Sequence, residues 1–123
     1  MVQQVSLWRE DPGTGVLRVD GSRPHLSEQD RAAAVAYLRA GHVTLHTTTL
    51  IEDPLETDGR LRVPINQRTD GEWIWDDTLL YFVEKYSFTP PDEFMAYLRA
   101  RKFKPRKLTA RQLRSIKEMQ DLP

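Results

Sequence analysis

The sequence predicts an α+β fold: a mostly antiparallel sheet of about five strands, in the order β-β-α-β-β-β-α-α-α, with helices packed on one face or at one end. Three observations lead there. β-prone runs alternate with turn-rich stretches through residues 1–75. One well-capped helical stretch interrupts them. Three helical segments follow one another at the end. At 123 residues the chain has room for a single domain, 1–123, with a basic helical C-terminal segment at 99–123.

The elements follow in order. Val5, Ser6, Leu7 and Trp8, then Val16, Leu17, Arg18 and Val19, flank Asp11-Pro12-Gly13-Thr14-Gly15, which reads as a hairpin. Ser27 starts a helix, with Asp30 as its capping-box partner. Ala32 to Leu38 are small or apolar helix formers that suit close packing on a sheet, and Gly41 is expected to supply a left-handed terminus. Residues 42–51 are rich in threonine, valine and isoleucine and predict one strand. An acidic, proline-bearing loop follows at 52–59. Leu61, Val63 and Ile65 then alternate with Arg62, Pro64 and Asn66, the period of a half-buried strand. Pro64 lacks an amide donor and places that strand at an edge or a bulge.

Thr69-Asp70-Gly71-Glu72 reads as a hairpin turn with glycine at positive φ. Trp73 and Trp75 point to one face and Ile74 to the other. Asp76 and Asp77 suit a helix N-terminus. Leu79, Phe82, Val83 and Tyr86 form an amphipathic stripe. Thr89 is expected to cap the next helix, with Pro90 at its first position. Phe94, Tyr97, Leu98 and Arg101 share one face of that helix, and Pro105 stops it. Thr109 and Gln112 make a second capping box for a last helix reaching about Gln120.

Composition narrows the function classes. There is no cysteine, so disulfides, thiolate metal sites and cysteine nucleophiles are excluded. No signal peptide is expected in the first ten residues, and no apolar run approaches the roughly 20 residues that span a bilayer. The expected location is the cytoplasm, with no membrane partner. Formal net charge is +0, but the balance hides a split. Residues 1–98 carry nine basic and sixteen acidic side chains, a net of −7, and residues 99–123 carry nine basic and two acidic, a net of +7. Arginine outnumbers lysine 13 to 5, which reflects either a GC-rich genome or a need for bidentate anion contacts.

No catalytic constellation assembles along the chain. His42 and His46 would share a metal ion on a helix, but a strand separates them by about 13 Å. His25 stands alone in a loop. The acidic loop residues Glu52, Asp53, Glu56 and Asp58 lack the ligand spacing of a calcium loop. Turn chemistry accounts for Asp70 and Glu72, and helix capping for Asp76 and Asp77. No serine has a nucleophile-elbow context, and Gly13-Thr14-Gly15 is too short for a phosphate-binding loop. No cofactor or metal ligand set is predicted.

Binding is the better-supported class. Trp73, Trp75, Tyr81, Phe82, Tyr86 and Phe88 fall close together. Trp73, Trp75 and Tyr81 are the candidate contact residues, one tryptophan being expected at the core margin with its N–H exposed. The acidic candidates are Glu52, Asp53, Glu56 and Asp58. Arg101, Lys104, Arg106, Lys107, Arg111 and Arg114 form the candidate basic patch, whose field would hold an acidic protein surface or a nucleic-acid backbone.

From Arg62-Val63-Pro64-Ile65 through Thr69-Asp70-Gly71-Glu72-Trp73-Ile74-Trp75 to Leu80-Tyr81-Phe82, the chain resembles a group of small actinobacterial-type proteins. These share a strand, a T-D-G-x-W-x-W turn and an aromatic helix. Asp76 stands where a proline often follows the second tryptophan. The resemblance extends through Pro90-Pro91-Asp92-Glu93-Phe94 and implies an immunity or companion protein of polymorphic toxins. It carries over no functional residues. The expected function is a non-enzymatic protein-binding module whose partner would be a toxin. A nucleic-acid-binding regulator using the basic helices is the alternative.

Overall fold

The computed structural model describes residues 3–7, 9–10, 12–14 and 17–120. The described elements, in order, are β1 (Gln3–Gln4), β2 (Arg9–Glu10), β3 (Leu17–Arg18), α1 (Glu28–Arg39), β4 (His42–Leu45), β5 (Leu50–Glu52), β6 (Leu61–Pro64), β7 (Gln67–Thr69), β8 (Trp73–Asp76), α2 (Asp77–Tyr86), α3 (Asp92–Ala100) and α4 (Ala110–Gln120). The fold is α+β. The expected five-stranded sheet is replaced by a four-stranded sheet in the order β1-β8-β7-β4 and two small ribbons, β2-β3 and β5-β6. The larger sheet is mixed, because β1 runs parallel to β8 while β8-β7 and β7-β4 are antiparallel.

Side-chain chemistry explains where the strands break. The threonine-rich run splits after Leu45, because the Thr47 hydroxyl accepts from the Thr49 amide and the Thr47 amide donates to Asn66 Oδ1. Hydroxyls that bond nearby backbone draw it out of a ladder. Asn66 also donates to Asp77 Oδ2, so it ends one strand pair and anchors the start of α2. Pro64 pairs with Leu50 at the end of the β5-β6 ribbon, which fits its missing amide. The N-terminal hairpin exists, but β2 and β3 form it, while Val5 and Leu7 enter the core. Trp8, Asp11, Gly15 and Val16 lie outside the described residues.

Helix ends partly match the sequence. Ser27 accepts from the Asp30 amide, and Thr109 and Gln112 form their reciprocal pair. Gly71 has φ +100 in the hairpin turn. Gly41 is a correction, since α1 ends on Ala40 without a left-handed residue. Glycine is required at 41 by space: a Cβ there would stand 2.5 Å from a ring carbon of Trp75. Thr89 is a second correction. It lies two residues before the true cap, Pro91, and its hydroxyl and amide both donate to the Pro24 carbonyl. Pro105 does not stop α3 either. Lys102 and Phe103 turn left-handed, φ 54 and 55, and the Phe103 amide closes onto the Leu98 carbonyl.

The core lies between the tryptophan face of the sheet and the helices. Trp75 lies 6.1 Å from the Tyr37 ring of α1 and 5.8 Å from Phe94 of α3, and Trp73 lies 5.1 Å from Phe94. Leu79, Phe82 and Val83 bury the stripe of α2, which packs on α1, β6 and β8. α4 packs on β4, and its residues 110–118 add none to the buried core. No helix of the described residues is long and apolar enough to cross a membrane.

Candidate functional site

The acidic loop does not stand free. Asp53 is 2 % exposed and accepts from Tyr81 at 2.8 Å, Tyr86 at 2.6 Å, Lys85 at 3.4 Å and the Leu55 amide at 2.8 Å. Tyr81 and Lys85 sit four apart on α2, so one helical turn brings both to the same carboxylate. Burial works against the charge of Asp53, yet the Tyr86 hydroxyl, the Leu55 amide, Tyr81 and Lys85 outweigh it and hold the carboxyl below its ordinary range. Lys85 also bonds Glu56 at 2.9 Å, and Arg62 pairs with Asp58. Of the four predicted acidic contacts, Glu52 alone is both exposed and outside an ion pair among the described residues.

The lysine and the tyrosines around Asp53 hold their protons rather than releasing them. Hydrogen bonds to Glu56 and Tyr81 raise the Lys85 ammonium, and burial with the Asp53 carboxylate pushes the Tyr86 phenol up to about 12. A general base or nucleophile needs the opposite shift, toward neutrality. The cluster therefore fastens the loop to α2.

Both tryptophans are corrections to the contact set. Trp73 is 7 % and Trp75 is 1 % exposed, and the Trp75 indole donates inward to the Leu38 carbonyl at 3.2 Å. Tyr81 is half-buried with its hydroxyl on Asp53, so it too belongs to the interior bonding.

A second clasped carboxylate escaped sequence reasoning. Asp70, 3 % exposed, accepts from Tyr37, from Tyr97 at 2.6 Å, and from the amides of Glu72 and Trp73 at 2.9 Å each. Burial opposes its charge, and the Tyr37 and Tyr97 hydroxyls with the two amides prevail, keeping it ionised below the usual range. Arg68 Nε donates to Asp77 at 2.7 Å.

The basic segment behaves differently. Arg99 pairs with Asp30 at 3.1 Å, and Arg106 pairs with Glu72. Arg106 is thereby a correction to the predicted patch. Arg101 is half-buried over the Tyr97 ring, 5.8 Å from its centroid, with one bond to the Lys104 carbonyl. Lys102, Lys104, Lys107, Arg111, Arg114 and Lys117 are exposed and make no ion pair among the described residues. Capping at Thr109 fixes the start of α4. Its inner side rests near the hairpin turn, with Leu108 and Gln112 against Gly71. Helical spacing then turns Arg111, Arg114 and Lys117 away from that contact.

One hollow of about 250 Å³ lies between β1, β8 and the start of α3, beside Gln4, Trp73, Asp92 and Glu93. Ligand pockets begin at roughly 300 Å³ and are enclosed, so this groove is below that class. His42 and His46 are exposed, and the described residues contain no group of three or more metal-ligating side chains. Comparison with known protein families, with curated proteins and with solved structures found no match.

Proposed function

We propose that this chain is a non-catalytic protein-binding module that docks an acidic partner through its cationic segment, residues 102–117. One observation carries the reading: internal pairing consumes most of the acidic loop but leaves the six exposed cations of residues 102–117 outside ion pairs among the described residues. A charged surface with no internal partner steers and orients an oppositely charged one.

The test is capture of partners from nuclease-treated native lysate by the wild-type chain and by a Lys107→Glu, Arg111→Glu, Arg114→Glu variant. These side chains are exposed and unpaired, so the variant should melt close to wild type. A stoichiometric protein recovered by wild type and lost by the variant supports the reading. Equal recovery by both overturns it.

The toxin-neutralising version would set carboxylates against a basic groove. It draws on Glu52, Asp92 and Glu93, exposed and outside ion pairs, and gains nothing from Asp53. Glu52→Gln capture tests it. Nucleic-acid binding is the second reading, favoured by the density of cations on α4. It predicts a band shift whose affinity falls steeply with salt.

A further inference from the structure

Among the described residues five large apolar side chains are exposed, and three of them belong to two elements that pack on each other. Val43 and Leu45 of β4 are 38 % and 57 % exposed, and Leu113 of α4 is 38 % exposed. β4 ends the sheet order, with β7 on one side. On α4, Gln112 faces Gly71, so helical spacing puts Leu113 on one flank, followed by Lys117, with Arg111 on the other flank. The apolar side chains thus lie on the same pair of elements as the unpaired cations. The remaining two, Leu50 and Leu61, sit on the β5-β6 ribbon, where Arg62 and Asp58 neutralise each other.

We infer that the face formed by α4 and β4 takes an acidic amphipathic helix of a protein partner. The inference rests on the reading of the segment as a protein-docking surface and names what docks there. Phosphate backbones gain little from exposed leucine and valine, whereas protein interfaces have an apolar centre and a polar rim. Val43, Leu45 and Leu113 supply the centre. Arg114 and Lys117, beside Leu113 on the helix, supply a cationic rim. α4 is 11 residues long, about 16 Å at 1.5 Å per residue. That length matches about three turns of a partner helix whose apolar anchors recur at i, i+3, i+4 and i+7, with carboxylates beside them.

The experiment uses the full chain and four probes. One is a labelled 18-residue peptide with leucine at those spacings and glutamate elsewhere. The others are its scrambled isomer, poly-L-glutamate and a 20-base-pair DNA duplex. Anisotropy should show the amphipathic peptide binding about tenfold or more tightly than its scramble, a gap of about 1.4 kcal/mol. Leu45→Ser with Leu113→Ser should erase that gap and leave poly-L-glutamate binding unchanged. Val43→Thr, a milder change, should narrow it, and circular dichroism melts confirm that each variant is folded.

Equal binding of peptide and scramble, or indifference to the apolar substitutions, overturns the helix inference while cationic docking stands. Tight duplex binding with no peptide or polyglutamate binding overturns both. A dimer in sedimentation that Leu45→Ser and Leu113→Ser dissociate overturns it by making a second copy of the chain the occupant.

Discussion

Replacing Tyr37 by phenylalanine removes one of the two hydroxyls that reach Asp70 and leaves a buried carboxylate with fewer donors. The expected loss is about 1–3 kcal/mol, read from chemical denaturation. Asp53 and Asp70 also set an acid dependence. Both carboxyls are held below their ordinary value, so their contribution is fully present above about pH 4 and disappears as pH falls through the lowered folded-state value. The urea midpoint of wild type should therefore drop on acidification from pH 5 to pH 2. Asp70→Asn should start lower and drop less, and parallel curves would refute the assignment. Two glycines separate space from backbone strain. Gly41→Ala meets the Trp75 ring and should cost about 1–3 kcal/mol. Gly59→Ala meets nothing within 4 Å but keeps φ +69, so about 1 kcal/mol of left-handed strain is expected.

At the scale of elements, α4 should be the most separable. Thr109→Ala removes its cap and should cost the helix about 1 kcal/mol. Hydrogen exchange should quicken at residues 110–113 and stay unchanged in α1 and α2, because residues 110–118 of α4 add none to the buried core. Equal acceleration in α1 would show α4 to be integral. Caps such as Ser27 and Thr109 were legible in the sequence because donor and acceptor lie three residues apart. The alternation of Trp73, Ile74 and Trp75 was legible for the same local reason. The break in the threonine run was not, because Asn66 decides it from a distant strand end. Gly41 looked like a helix terminator, and only the packed Trp75 ring shows why it is there. Tyr81 and Lys85 lie one helical turn apart, but nothing local in the sequence indicated that Asp53 would be drawn to both.

Across the whole molecule, internal pairing narrows the charge split along the chain but leaves, among the described residues, exposed cations at 102–117 and exposed carboxylates at Glu52, Asp92 and Glu93 outside ion pairs. Arg31, Arg39, Arg62, Arg68 and Lys85 each pair with carboxylates of the first 98 residues, and Arg99 and Arg106 take Asp30 and Glu72 as well. Sequence counting exposed the imbalance but could not say which charges were already spoken for. The parallel pairing of Gln3 with Trp73 and Gln4 with Ile74 reaches across more than half the chain. During synthesis β1 must wait until β8 has emerged, and ladder closure over such a separation is slow. Until then β1 is a bare template, open to any extended segment nearby. Crowded nascent chains are thus the setting in which this protein would mispair.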